Sequence, residues 1–221
     1  MTGRGVDTRL LDRCAALVEA AADGRRRVLG IAGAPGAGKT TLVEALLAAV
    51  AADPRLADRV AHVPMDGYHL PNAELDRLGR RDRKGAPDTF DVGAYAATLA
   101  TARAVPRVPL AAPSFDHAVG EPEPGSIEVG EGADLVVTEG NYLLLPEGGW
   151  PAVRAELDEV WFCDLDPSRR RTRLVERHVL AGREPDDAQA WVDGSDEANA
   201  RLVVTGRDEA DLVLVDGRIT A

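Results

Sequence analysis

Eight residues, GAPGAGKT (Gly33 to Thr40), constrain this chain more than any other stretch, because of what stands on either side of them. Before them runs VLGIAG (Val28 to Gly33), short, apolar and preceded by an arginine run, which reads as a buried strand. After them, Leu42, Val43, Leu46, Leu47 and Val50 fall on one face of a helix that starts at Lys39. Gly33, Gly36 and Gly38 let the backbone between strand and helix curl until successive N–H groups face inward, and the helix N-terminus adds partial positive charge. Such a turn cradles phosphate oxygens. The pattern G-x-x-x-x-G-K-[ST] brings Lys39 to the β- and γ-phosphates of a nucleoside triphosphate and the Thr40 hydroxyl to Mg2+. The expected contact set is Gly33, Ala34, Pro35, Gly36, Ala37, Gly38, Lys39, Thr40 and Thr41. The bland alternative is a glycine-rich turn that binds nothing. A GTP-reading switch of the usual kind carries Asn/Thr-Lys-x-Asp, and neither Lys39 nor Lys84, the two lysines of the chain, has an Asp two residues on, so the nucleotide is read as ATP.

Further strands are expected at RVAHVPM (Arg59 to Met65), DLVVTEG (Asp134 to Gly140), DEVWFCDL (Asp158 to Leu165) and DLVLVDG near the C-terminus. Helices are expected from about Thr8 to Ala22, after Asp91 as N-cap with Phe90 stapling onto Tyr95, from Asp166-Pro167 to Gly182, and from Pro185 to about Gly206. Pro106 to Gly132, rich in Pro, Gly and Glu, reads as loop or hairpin. Strands alternating with helices predict an α/β fold of three layers, α/β/α, around a mostly parallel sheet. Length predicts a single domain over 1–221, with a helical lid at about 167–205.

Net charge of −11 repels a polyanion and argues against nucleic acid as the main partner. No apolar run reaches the ~20 residues that cross a bilayer, and MTGRGVDTRL has no apolar signal core, so the expected location is the cytoplasm, away from membrane. Cys14 and Cys163 have no partner at metal or disulfide spacing and read as buried thiols.

Three further groups carry chemistry. Asp66 follows the second strand, at the sheet edge where open α/β folds put their ligands, and suits a general base that takes the proton of an attacking hydroxyl; the alternative is a turn cap. Glu139 ends the strand LVVTEG, where a carboxylate can serve Mg2+, the acceptor or both. Arg170, Arg173 and Arg177 recur at helical spacing, so that one helix face carries guanidinium groups able to clamp phosphates; a solvated arginine face is the alternative.

In order, GAPGAGKTT, MDGYH, RKGAPDTFD, PSFDH and VVTEGNYLLL resemble the pantothenate kinase, uridine kinase and phosphoribulokinase group of P-loop kinases, over most of the chain from about Val28. The pattern is most similar to a branch near bacterial pantothenate kinase that includes sugar-annotated members. The resemblance implies ATP and Mg2+ as cofactors and a small-molecule alcohol as acceptor. It implies Asp66 as catalytic aspartate, with Lys39 and Arg173 beside it in catalysis, and a lid whose Arg173 and Arg177 reach the nucleotide. It puts Tyr68, His69, Lys84, Asp88, Phe115, His117, Glu139 and Asn199 around the acceptor, and Thr40 and Glu139 near the metal. The usual Walker B aspartate is replaced by Glu139, which leaves its partner open. Aromatic residues at 4% offer little stacking surface for a nucleobase, so a sugar, polyol or pantothenate-like acceptor is favoured over a nucleoside. The alternative of another class is a nucleotide-dependent regulatory switch, which would have no use for the acceptor-side motifs. A homodimer is compatible with the sequence.

Overall fold

A computed structural model describes residues 6–219. Helix α1 (Thr8–Ala20) leads into strand β1 (Arg27–Gly33), helix α2 (Lys39–Ala52) and a short strand β2 (Val60–His62). Helices α3 (Asn72–Leu78) and α4 (Val92–Ala102) precede a hairpin of β3 (Leu110–Asp116) and β4 (Glu121–Val129). Strand β5 (Leu135–Gly140), helix α5 (Trp150–Arg154) and strand β6 (Glu159–Asp164) come next. Helices α6 (Pro167–Leu180), α7 (Pro185–Trp191) and α8 (Glu197–Val204) lead to β7 (Leu212–Val215) and β8 (Arg218–Ile219).

The main sheet has the order β2-β5-β1-β6-β7-β8 and is parallel except for β8. Its central strands are apolar on both faces because helices cover both. Successive residues of a strand point to opposite sides. Leu29 and Ile31 of β1, with Val137 of β5 and Trp161 of β6, therefore meet Cys14 and Val18 of α1 and Val43 and Leu46 of α2. Val28, Ala32, Val136 and Phe162 face the other way, toward Tyr95 and Leu99 of α4, Trp150 and Val153 of α5, and Ala200 and Val203 of α8. Each fully buried aliphatic or aromatic side chain of this kind stabilises the fold by ~1.5–3 kcal/mol relative to exposure. The buried Arg26 guanidinium joins the layers at the base of the sheet, donating to the carbonyls of Ala102, Val108, Gly130 and Ala133 at 3.0–3.2 Å.

The caps behave as expected: Asp91 accepts from Ala94 N at 2.9 Å and Asp166 from Ser168 N at 3.0 Å. Phe90 and Tyr95 both pack on Trp150, at ring separations of 5.8 and 6.4 Å. Two expectations need correcting. The second strand is only three residues long, because Pro64 sends Met65–Tyr68 into a 3-10 turn, and the segment expected as one helix from Pro185 to Gly206 is α7 and α8 joined by a π-helical turn at Val192–Asp196. Among the described residues no helix is long and apolar enough to cross a membrane. The first five residues of MTGRGVDTRL lie outside the described residues.

Candidate active site

The cradle forms where the parallel strands end. From Gly33 the chain turns through Gly36 and Gly38, whose φ values of 77° and 94° are left-handed, and enters α2 at Lys39. A Cβ on Gly36 would come within 2.7 Å of Leu174 on α6, so glycine lets this turn lie directly against that helix. Ala34, Pro35 and Ala37 are buried, while Thr40 and Thr41 are exposed on the first turn of α2. Lys39 Nζ donates to Gly33 O at 2.8 Å, Ala34 O at 3.1 Å and Asn141 Oδ1 at 2.6 Å. Burial pushes its pKa down to about 8; Cys163, Asp66 and Glu139 oppose the shift and Arg177 adds to it, so all four groups lie within electrostatic reach of the ammonium.

Asp66 stands half-buried on the 3-10 turn after β2, and its carboxylate has no ion pair among the described residues. The turn is fixed from three sides. His69 closes it, with Nδ1 2.8 Å from Asp66 O. Gly67 touches the Pro113 carbonyl of β3 so closely that any Cβ would overlap it. Beneath, Tyr95 OH donates to Thr138 Oγ1, which in turn donates to Val63 O, each at 2.5 Å. Burial lowers the His69 pKa from its ordinary 6.5, with Lys84 and His117 adding to the effect and Asp66 opposing it.

Of the three Trp, three Tyr and three Phe, seven lie on this side of the sheet. Tyr68 packs on Tyr95 at 4.7 Å, Phe90 and Tyr142 on Trp150, and His69 on Phe90 at 4.1 Å and Phe115 at 4.6 Å. Composition alone therefore understates the ring surface. Most of it is core, however: Phe115, His69 and His117 are the rings with open surface, and Tyr68, expected at the acceptor, is buried. Lys84 donates to Asn72 Oδ1 at 2.6 Å and Gly120 O at 2.5 Å and lies 5.3 Å from the Phe115 ring centre, so it ties its loop to the hairpin. Asp88 is likewise engaged, by Arg83 at 2.5 Å and Arg80 at 3.4 Å, in an exposed position. Through these contacts Lys84 and Asp88 brace the loop. Glu139 is held by His62 Nε2. Asn199 is buried on α8, one turn past Asp196, whose charge reaches the Tyr142 hydroxyl.

The arginine row divides by role. Arg170 is buried, donating to Pro35 O at 3.2 Å and pairing with Glu197, so it fastens α6 to the cradle and to α8. Arg173 and Arg177 are exposed and have no salt bridge among the described residues; Arg173 Nη1 lies 3.7 Å from where a Gly38 Cβ would stand. Side chains that sequence reasoning missed are Asn141, Arg170 as an anchor, and His62. Asn141 lies inside the quoted VVTEGNYLLL, but nothing in the spacing signals its reach to Lys39. The oxygen donors suited to Mg2+ are the hydroxyl of Thr40, next in the chain to Lys39, and the Asp66 and Glu139 carboxylates, whose charges reach its ammonium; this hard, sparse set fits a metal that keeps waters and phosphates as its other ligands.

No protein-family model matches the chain. It is 38% identical over 154 residues to an ATP-dependent kinase-like protein of Aspergillus versicolor, a match spanning 65% of this chain and 88% of that one. It is 32% identical over 201 residues to a provisionally named uridine kinase of Schizosaccharomyces pombe, spanning 88% and 85%. Among solved structures, a provisionally named fructose transport system kinase from Silicibacter sp. TM1040 superposes with a TM-score of 0.77 at 34% identity, over 90% of this chain and 98% of that one. With a glycine-rich turn between strand and helix and these relatives, the chain belongs to the P-loop kinase family that includes the uridine and pantothenate kinases and is an ATP-dependent kinase.

Proposed function

We propose that the chain moves the γ-phosphoryl group of ATP onto a hydroxyl of a small metabolite, a sugar, polyol or pantothenate-like compound, and that residues 1–221 work as one unit with a lid at about 167–205. The observation that carries this reading is the half-buried Asp66 carboxylate, without an ion pair among the described residues and within electrostatic reach of Lys39. Gly33 to Thr41 hold the triphosphate through backbone N–H groups, and Lys39 draws charge from the transferring end. Asp66 orients the acceptor hydroxyl and accepts its proton as the new P–O bond forms. Mg2+, when bound by Thr40 with Glu139 or Asp66 nearby, supplies charge neutralisation on the phosphates. Arg173 and Arg177, exposed on α6 beside the cradle, close over the same phosphates and keep water from them. His69, Phe115 and His117 give the acceptor its open ring surface, with Asn199 contributing from the lid side.

A nucleoside acceptor is the second reading, favoured by the open faces of Phe115 and His69. A regulatory switch explains neither those faces nor Asp66. The test is ADP release coupled to a readout enzyme, run against pantothenate, uridine, cytidine, fructose, other sugars, ribulose 5-phosphate and glycerate. A hydroxyl compound that accelerates ADP release supports the kinase reading; uniform slow hydrolysis stimulated only by a protein partner would favour the switch.

A further inference from the structure

An ammonium group has three N–H donors and no more. At Lys39 all three are used inside the protein, by Gly33 O, Ala34 O and Asn141 Oδ1. A phosphate oxygen can join only if one of the three gives way. Gly33 is packed in the ladder against Cys163, with 2.6 Å between its would-be Cβ and Cys163 O, and Ala34 is buried in the same turn, so both carbonyls belong to fixed backbone. Asn141 is the one acceptor of the three on a side chain, and it makes the shortest bond. It is half-buried at the end of β5, next to Tyr142, whose hydroxyl donates to Gly85 O at 2.5 Å in the loop on the acceptor side.

We infer that Asn141 sets nucleotide affinity by holding Lys39 through Oδ1 and yielding that N–H to a phosphate oxygen when nucleotide binds. This rests on the phosphate role of Lys39 proposed above. The exchange makes Asn141 a positioning residue that competes with the nucleotide for Lys39, with its bond lost on binding and regained on release. A group that interacts only with the unbound arrangement lowers affinity by the strength of that interaction. Its removal therefore tightens binding, whereas removal of a supporting residue loosens it.

The measurement is the Kd of MgADP by titration calorimetry for the parent chain, Asn141→Leu, Asn141→Asp, Lys39→Met and the double variant Lys39→Met/Asn141→Leu. Leucine keeps the volume and removes the acceptor, so binding tightens about fivefold, the worth of one hydrogen bond. Aspartate pairs more strongly with the ammonium and repels phosphate, weakening binding at least about tenfold. In the Lys39→Met background Asn141→Leu changes nothing, because the competition is gone. A merely structural role for Asn141 would loosen binding in both single variants. Equal or weaker binding by Asn141→Leu overturns the inference while leaving the kinase reading intact. Parental affinity in Lys39→Met overturns the phosphate role of Lys39 and the inference with it. If Asn141→Leu fails to fold, Asn141→Ala carries the same expectation.

Discussion

Lys39 is a charged group kept where charge is costly. Burial lowers its pKa from 10.5 to about 8, and the nearby Asp66 and Glu139 carboxylates only partly restore it. Because the folded value lies below the unfolded one, folding carries the full cost of the buried charge below about pH 8, and stability from this group rises as pH climbs from there toward 10.5. Nucleotide binding runs the other way, since a neutral amine attracts phosphate poorly. MgADP affinity measured by calorimetry is expected to fall about tenfold between pH 7 and pH 9, and Lys39→Met to abolish that slope; a flat profile in the parent chain would contradict the assignment. The same burial raises Cys163, next to Gly33, to about 11, which makes it an inert thiol at neutral pH, as its isolation in the sequence suggested.

At the scale of elements, two contacts decide whether the site is assembled. Gly67→Ala would push the Asp66 turn off Pro113, and is expected to cost ~1–3 kcal/mol in denaturant unfolding and to lower turnover more than nucleotide affinity. Where α8 meets α6, Glu197→Ala would strand the buried Arg170 guanidinium and destabilise by ~3–5 kcal/mol, whereas Arg173→Ala on α6 is expected to change stability by less than ~0.5 kcal/mol and reduce turnover at least about tenfold. Equal effects of Glu197→Ala and Arg173→Ala on stability would refute this division. Sequence alone gave the three layers, the cradle and the caps at Asp91 and Asp166, because each depends on local periodicity or on a side chain reaching two or three residues along. It could not separate Arg170 from Arg173 and Arg177, since identical spacing says nothing of which residue meets Glu197 across 27 positions. Nor could it give the His62 contact to Glu139 or the Asn141 contact to Lys39, which join strands and turns far apart in the chain. The ring cluster was hidden for the same reason: composition counts aromatics without saying where they meet.

The whole molecule is an acidic body of net charge −11 with its local positive groups, Lys39, Arg173 and Arg177, drawn together where the parallel strands end. That contrast suits a small anion and repels a long one. The sheet supplies the glycine turn from β1, the carboxylate of Asp66 from the turn after β2, Glu139 and Asn141 from the end of β5, and helices α6 to α8 from the chain after β6. Transfer to an alcohol requires the cradle and the Asp66 carboxylate to act on the same pair of reactants. The most direct test follows the fate of the γ-phosphate by phosphorus NMR, with an acceptor found by ADP release, for the parent chain and Asp66→Asn. The expected result is a phosphomonoester signal that the variant forms at least ~10²-fold more slowly, while calorimetry shows its nucleotide affinity little changed. A phosphomonoester formed by Asp66→Asn at the parental rate, or inorganic phosphate as the product of the parent chain, would contradict the account.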